Sequence, residues 1–152
     1  ANKLGLKGID LKEYQLQVKQ QGNNKHNEIE YFLKYGELFE GYEKLEKMLS
    51  EYEVIGVEYP VNNEHIRGRI DLVLKKNNEI IVCDFKRNKN IYLSTKLQLS
   101  TYKHILNADK IAYINFEKFE LIEVNINTDK YYQLVKRLYQ IYILLKDLNE
   151  RL

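Results

Sequence analysis

The stretch Arg69-Ile70-Asp71-Leu72-Val73-Leu74-Lys75-Lys76 is followed, across Asn77-Asn78, by Glu79-Ile80-Ile81-Val82-Cys83-Asp84-Phe85-Lys86. This mirrored pair constrains the fold more than any other part of the chain. Both arms are rich in β-branched and aliphatic residues, and the two asparagines tolerate the positive φ of a tight turn, so the segment predicts a β-hairpin. With the turn centred between Asn77 and Asn78, Lys76 faces Glu79, Lys75 faces Ile80, and counting outward sets Asp71 opposite Asp84. Opposed residues on neighbouring strands share one face, with Cβ atoms about 4.5–5.5 Å apart. Lys86, two residues beyond Asp84, projects from that same face. Two carboxylates and an ammonium therefore converge. Ile70, Leu72, Leu74, Ile81, Cys83 and Phe85 form an apolar set on the other face, suited to packing on a helix.

Like charges set face to face destabilise a sheet, and in a half-buried site one carboxyl has its pKa raised unless a cation lies between the two. Magnesium suits such a place, because it prefers oxygen ligands, takes one or two carboxylates and fills its remaining positions with water and substrate phosphate. The alternative is a surface charge network of Asp71, Asp84, Lys86 and Arg69, and a one-residue slip of register would also part the two faces.

Four segments in order bear on that choice: Gly22 to Glu30 with His26 near a helix start, Gly68-Arg69-Ile70-Asp71, Asp84-Phe85-Lys86, and Gln98-Leu99-Ser100-Thr101-Tyr102. Together they resemble the PD-(D/E)XK nuclease superfamily, and within it the RecB-like branch, marked by GxxD, (D/E)xK and QxxxY. The resemblance runs from about His26 to Tyr102 and implies a restriction-endonuclease-like core. It also implies a metal-dependent DNA nuclease, with an exonuclease acting on DNA ends or single strands as the first expectation. A structure-specific endonuclease and a non-catalytic nucleic-acid-binding module that kept the fold are the alternatives. By the same resemblance, Asp71, Asp84, His26 and the main-chain carbonyl of Phe85 hold one or two Mg²⁺ or Mn²⁺ ions. Lys86 positions the attacking water, and Gln98 and Tyr102 orient the lysine or the DNA backbone.

Each of these residues also has a plainer reading. His26 can be a partly exposed polar residue paired with Glu30, one turn further along. Gln98 can close a capping box with Thr95. Glu58, on the strand before the hairpin, can add a carboxylate or simply occupy a surface position.

Net charge is only +2 despite 24 lysines and arginines, so no field over the whole chain draws in nucleic acid, and binding must come from a local patch. Arg67, Arg69, Arg87, Lys89 and Lys96 flank the hairpin and are its candidates, with a solvated loop as the alternative. Thirteen tyrosines offer rings that can stack on bases or line the core edge. The single cysteine excludes a disulfide framework, points to a reducing compartment, and separates the chain from relatives that hold an iron–sulfur cluster with four cysteines. No apolar run reaches the ~20 residues of a membrane span and no signal peptide is visible, so a cytoplasmic protein is expected. A Lys-, Asn-, Ile- and Tyr-rich composition suggests an AT-rich viral or bacterial genome.

The rest of the chain predicts one α/β domain over residues 1–152, a central mixed sheet of about five strands flanked by helices. Leu11, Tyr14 and Val18 hint at a short helix, and His26, Ile29, Phe32 and Leu33 mark another between Lys25 and Tyr35. Tyr42, Leu45, Met48 and Leu49 mark a third. Val54 to Tyr59 reads as a strand stopped by Pro60. Ser94 to Leu106 reads as helix, Ile111 to Phe116 and Phe119 to Ile126 as strands. A long helix over Asp129 to Glu150 carries Leu134, Leu138, Ile141, Leu145 and Leu148 on one stripe. With little chain beyond the core to clamp a strand, a protein partner or a homo-oligomer is expected.

Overall fold

The computed structural model describes residues 24–64, 66–87 and 90–151. The expected helix around Leu11, Tyr14 and Val18 lies outside the described residues, as do His65 and Lys89. The described chain divides into two compact units on either side of the Tyr42–Glu43 boundary.

In the first unit, α1 covers residues 24–35 and buries Ile29. Gly36, at φ +73°, ends it by donating its N–H to the Phe32 carbonyl at 3.0 Å. That left-handed turn costs glycine no Cβ clash. Phe32 then meets Phe39 edge-on, with ring centroids 5.6 Å apart.

α2 (Tyr42–Leu49) begins at the boundary, and the second unit continues with β1 (Glu53–Asn62), β2 (Arg67–Lys76), β3 (Glu79–Lys86), α3 (Leu93–Leu106), β4 (Lys110–Asn115), β5 (Leu121–Glu123) and α4 (Thr128–Arg151). The five strands lie side by side in sequence order. Every neighbouring pair is antiparallel except β3 and β4, which are parallel and joined by α3. A parallel pair needs such a crossover, and the helix covers the sheet as it returns. The sheet is therefore mixed, as the sequence predicts, with four helices in the described chain.

The β2–β3 turn is the expected one. Asn77 and Asn78 both have positive φ, +50° and +64°, and Lys76 pairs with Glu79. The core forms where α3 meets the sheet: Leu99 and Tyr102 pack with Val73, Val82, Ile70 and Ile111. Val73 and Val82 lie two residues from Asp71 and Asp84 and share their face, so α3 lies on the face of the aspartates. The opposite face, with Leu72, Leu74, Cys83, Ala112 and Ile114, is fully buried as well. Burial pushes the Cys83 thiol far up, which fits a small core hydrophobe.

Two expectations are corrected in detail and a third is extended. β1 does not stop at Pro60 but runs through it, with Pro60 opposite Arg69; β1 is an edge strand, where a missing N–H donor leaves no gap in the ladder. β5 is only three residues long because Phe119, at φ +51°, sits in a turn rather than a strand. The Asn115 side chain holds that turn by accepting the N–H groups of Glu117 and Lys118 at 2.8 and 3.0 Å. In α4, the stripe of Leu134, Leu138, Ile141, Leu145 and Leu148 faces outward. The helix instead packs through Tyr132, whose ring stacks on His104 of α3 with centroids 3.9 Å apart.

The positive φ at the hairpin apex yields a direct expectation. Asn78→Val forces a β-branched residue into the left-handed region and should lower unfolding free energy by about 1–2 kcal/mol, whereas Asn78→Gly should not. Urea denaturation of both variants, read by circular dichroism, measures the difference.

Candidate active site

The β2–β3 ladder runs from Lys76↔Glu79 to Leu72↔Cys83. One step further out, Asp71 and Asp84 come together and their side chains hydrogen-bond to each other. Main-chain pairing gives way there, because the Phe85 N–H donates to Asp71 Oδ2 at 2.9 Å. The Asp71 carboxylate thus stands in for a backbone acceptor while the strands separate. Lys86 Nζ lies 3.0 Å from Asp84 Oδ2, so the ammonium and both carboxyl groups meet on one face as the alternation of β3 requires. The cluster sits toward the carboxyl end of β3, where β3 runs parallel to β4 as far as Lys86↔Asn115.

The Asp71 carboxyl is pushed up to about 9, first by burial, then by its hydrogen bond with Asp84 and the charge of that residue, and last by the charge of Glu58. The Phe85 N–H opposes the shift. Two close carboxyl groups that cannot both ionise share a proton, and a cation placed between them would replace it. Among the described residues, no three His, Cys, Asp or Glu side chains gather into a closed ligand shell. A closed shell is not what magnesium needs: one or two carboxylates suffice when water and phosphate complete the octahedron. Asp71 and Asp84 therefore fit a hard divalent ion.

Glu58 enters this site more firmly than its sequence context indicates. Val57 pairs with Leu72 and Tyr59 with Ile70, which places Glu58 beside Asp71. Its charge raises the pKa of both Asp71 and Tyr102. It holds a left-handed backbone, φ +49°, an uncommon conformation for a non-glycine residue inside a strand. Finding it from sequence would require the β1–β2 register, and a bulge between Val54 and Gly56 shifts that register by one.

Gln98 and Tyr102 lie one turn apart on α3, and the Gln98 side chain hydrogen-bonds to the tyrosine hydroxyl. The capping-box alternative fails, since α3 begins at Leu93 and Thr95 already lies inside it. Burial raises the Tyr102 hydroxyl pKa, the Gln98 hydrogen bond lowers it, and the charges of Asp71, Asp84 and Glu58 add to the rise. The ring packs over Gly68, where any Cβ would collide with the hydroxyl. GxxD and QxxxY are thus parts of one packing unit. Beside Lys86, a groove of about 460 Å³ opens between Ile66, Thr95, Gln98 and Val135.

The remaining candidates are spread more widely. Phe85 is buried and its ring stacks on Phe116 at 6.0 Å. Arg67, Arg69 and Arg87 are exposed and Lys96 is half-buried. His26 is half-buried on α1, within the first unit. No described helix is long and apolar enough to cross a membrane.

The raised Asp71 pKa sets a pH dependence. Below about pH 4 the carboxyl is protonated in both folded and unfolded chains and contributes no slope. As pH rises, the unfolded chain loses the proton first, so the metal-free protein should lose stability from about 4 up to about 9. Thermal melts of metal-free protein across that range should show a falling melting temperature for wild type and a flatter profile for Asp71→Asn. Added Mn²⁺ should reduce the wild-type fall. Identical profiles in both proteins would contradict the buried pair.

The family model of the PD-(D/E)XK nuclease superfamily matches residues 9–148, a span containing the hairpin, α3 and nearly all of α4. The solved structure of SSO0001 is similar over 59% of this chain, at 23% identity and a TM-score of 0.34; this chain spans 46% of that protein's length. No curated protein matches the chain. With its five-stranded mixed sheet, flanking helices and a family match over most of its length, the chain belongs to the PD-(D/E)XK nuclease superfamily.

Proposed function

We propose that the protein is a Mg²⁺- or Mn²⁺-dependent deoxyribonuclease of the RecB-like branch, hydrolysing phosphodiester bonds as an exonuclease on DNA ends or single strands. The observation that carries the proposal is the meeting of Asp71, Asp84 and Lys86 on one face at the end of the β2–β3 ladder. The choice of branch rests on the order of GxxD, (D/E)xK and QxxxY, supported by the Gln98–Tyr102 hydrogen bond beside the carboxylates.

Asp71 and Asp84 would hold a divalent cation, and the chemistry it would supply there is Lewis-acid polarisation of the scissile phosphate and a water of lowered pKa. The chain's own groups do the rest. The Phe85 N–H fixes one oxygen of Asp71, so that carboxyl group keeps its orientation whether or not it carries a proton. Asp84 holds the Lys86 ammonium within 3.0 Å, where it orients the attacking water and balances negative charge as it develops on phosphorus. Gln98 anchors Tyr102, and Tyr102 spaces α3 from Gly68 so that the groove beside Lys86 stays open. Arg67, Arg69, Arg87, Lys89 and Lys96 contact backbone phosphates, which makes binding salt-dependent and largely indifferent to sequence. Two further donors, His26 and the Phe85 carbonyl, rest on the motif resemblance alone.

Purified protein incubated with end-labelled linear and circular DNA, single- and double-stranded, should ladder linear single strands from one end with Mg²⁺ or Mn²⁺ and do nothing in EDTA. Nicked circles would assign an endonuclease instead. Lys86→Ala and Asp84→Asn should each lower the rate at least about 100-fold while the fold, read by circular dichroism, is kept. A wild-type rate from either variant would reject the assignment, and binding without cleavage under every condition would leave a non-catalytic module.

A further inference from the structure

The strand that carries Lys86 loses one of its neighbours just before it reaches the site. The last pairing of β3 with β2 is Leu72↔Cys83, and beyond it the Phe85 N–H is taken by the Asp71 side chain. From Asp84 onward, main-chain pairing comes from β4 alone among the described residues, in parallel register as far as Lys86↔Asn115. A strand end paired on one side frays easily, since local opening there breaks few bonds. Yet the Lys86 ammonium sits at that end, 3.0 Å from Asp84 Oδ2. Misplacing such a group by about 1 Å can slow a reaction about 100-fold. The end of β3 therefore needs a hold of its own.

Two consecutive residues at the close of β4, Asn115 and Phe116, touch three consecutive residues of β3. The Phe116 ring stacks on Phe85, 7° from parallel with centroids 6.0 Å apart. The Phe116 N–H donates to the Lys86 carbonyl at 3.0 Å. Asn115 Nδ2 donates to the Arg87 carbonyl at 3.4 Å, one residue past the end of the ladder. That last bond is long, and on a freely rotating side chain it would count for little. Asn115 is not free to rotate. Its Oδ1 accepts the N–H groups of Glu117 and Lys118 at 2.8 and 3.0 Å. Its own N–H donates to the Glu120 carbonyl at 3.2 Å, and its carbonyl accepts the Phe119 N–H at 2.9 Å. The β4–β5 turn thus fixes the amide with its NH₂ end aimed at β3, so the contact costs little further side-chain entropy. An amide suits the position because it offers an acceptor to the turn and a donor to the strand at once.

We propose that Asn115 is a positioning residue for Lys86: it uses the β4–β5 turn to clamp the end of β3, and so keeps the ammonium level with Asp84. The role of Lys86 in cleavage rests on the nuclease reading; the clamp does not.

Asn115→Asp separates the two functions of the side chain, because a carboxylate keeps the acceptor for the turn and lacks the donor for Arg87. Amide hydrogen exchange of metal-free, DNA-free protein, read by NMR, reports on the clamp without using activity. In wild type, Phe85 and Lys86 should be protected as well as β4 is; exchange about 100-fold faster than in β4, as for a frayed end, overturns the proposal even if no variant folds. In Asn115→Asp those two amides should exchange about 10-fold faster, with Glu117 and Lys118 within about twofold of wild type. Asn115→Ala, which adds no charge, should show the same rise at Phe85 and Lys86 together with a rise in the turn. Unchanged exchange at Phe85 and Lys86 in either variant overturns the clamp. With a cleavable DNA strand, Asn115→Asp should lower kcat about 10-fold and leave KM within about twofold, the pattern of a residue that orients Lys86 rather than binds substrate. Faster exchange with unchanged kcat, or a rise in KM alone, overturns the positioning role. If wild type cleaves no DNA, the nuclease reading fails and the exchange result still decides the clamp.

Discussion

The structure turns on two carboxyl groups that sit too close to ionise together. Asp71 is half-buried against Asp84, and its pKa is raised to about 9 by desolvation and by that neighbour. In a sheet, such a pair costs stability unless something positive is shared between them. A shared proton fills that role in the metal-free protein, and a divalent cation is the occupant that the proposed function would put in its place. The surrounding features make sense as consequences. The ladder ends at Leu72↔Cys83, the Phe85 N–H turns to a side chain, and Lys86 comes within 3.0 Å of Asp84.

Packing fixes this arrangement from one side. α3 lies on the aspartate face and contributes Leu99 to the core. Its Tyr102 reaches over Gly68 to the edge of the acidic cluster. Gly68 is therefore a requirement of close approach rather than of turn geometry, and it ties the strand motif to the helix motif in a single contact. Glu58 completes the picture from β1. Its left-handed backbone is a local cost of order 1–3 kcal/mol for a non-glycine residue, of the kind concentrated at functional sites.

How much was legible in the sequence depended on what set the register. Asn77-Asn78 pins the hairpin locally, so the facing of Asp71 and Asp84 and the projection of Lys86 could be counted outward from the turn. Glu58 could not be placed that way, because the bulge between Val54 and Gly56 is invisible in the pattern. The helical period located α3 and α4 well, yet period alone does not say which stripe turns inward. The aliphatic stripe of α4 faces outward, and Tyr132 and Val135 form its packing face. Phe119 looked like a strand residue and is a turn residue, because the Asn115 side chain offers the backbone a local alternative.

The most direct test of the shared pair is calorimetric titration of Mn²⁺ into the metal-free protein near pH 7, repeated in buffers of different ionisation enthalpy. If a proton occupies the site before the cation, binding should release about one proton per ion in wild type, and Asp71→Asn should abolish both the binding and the release. Tight binding with no proton release, or binding undisturbed by Asp71→Asn, would contradict the account.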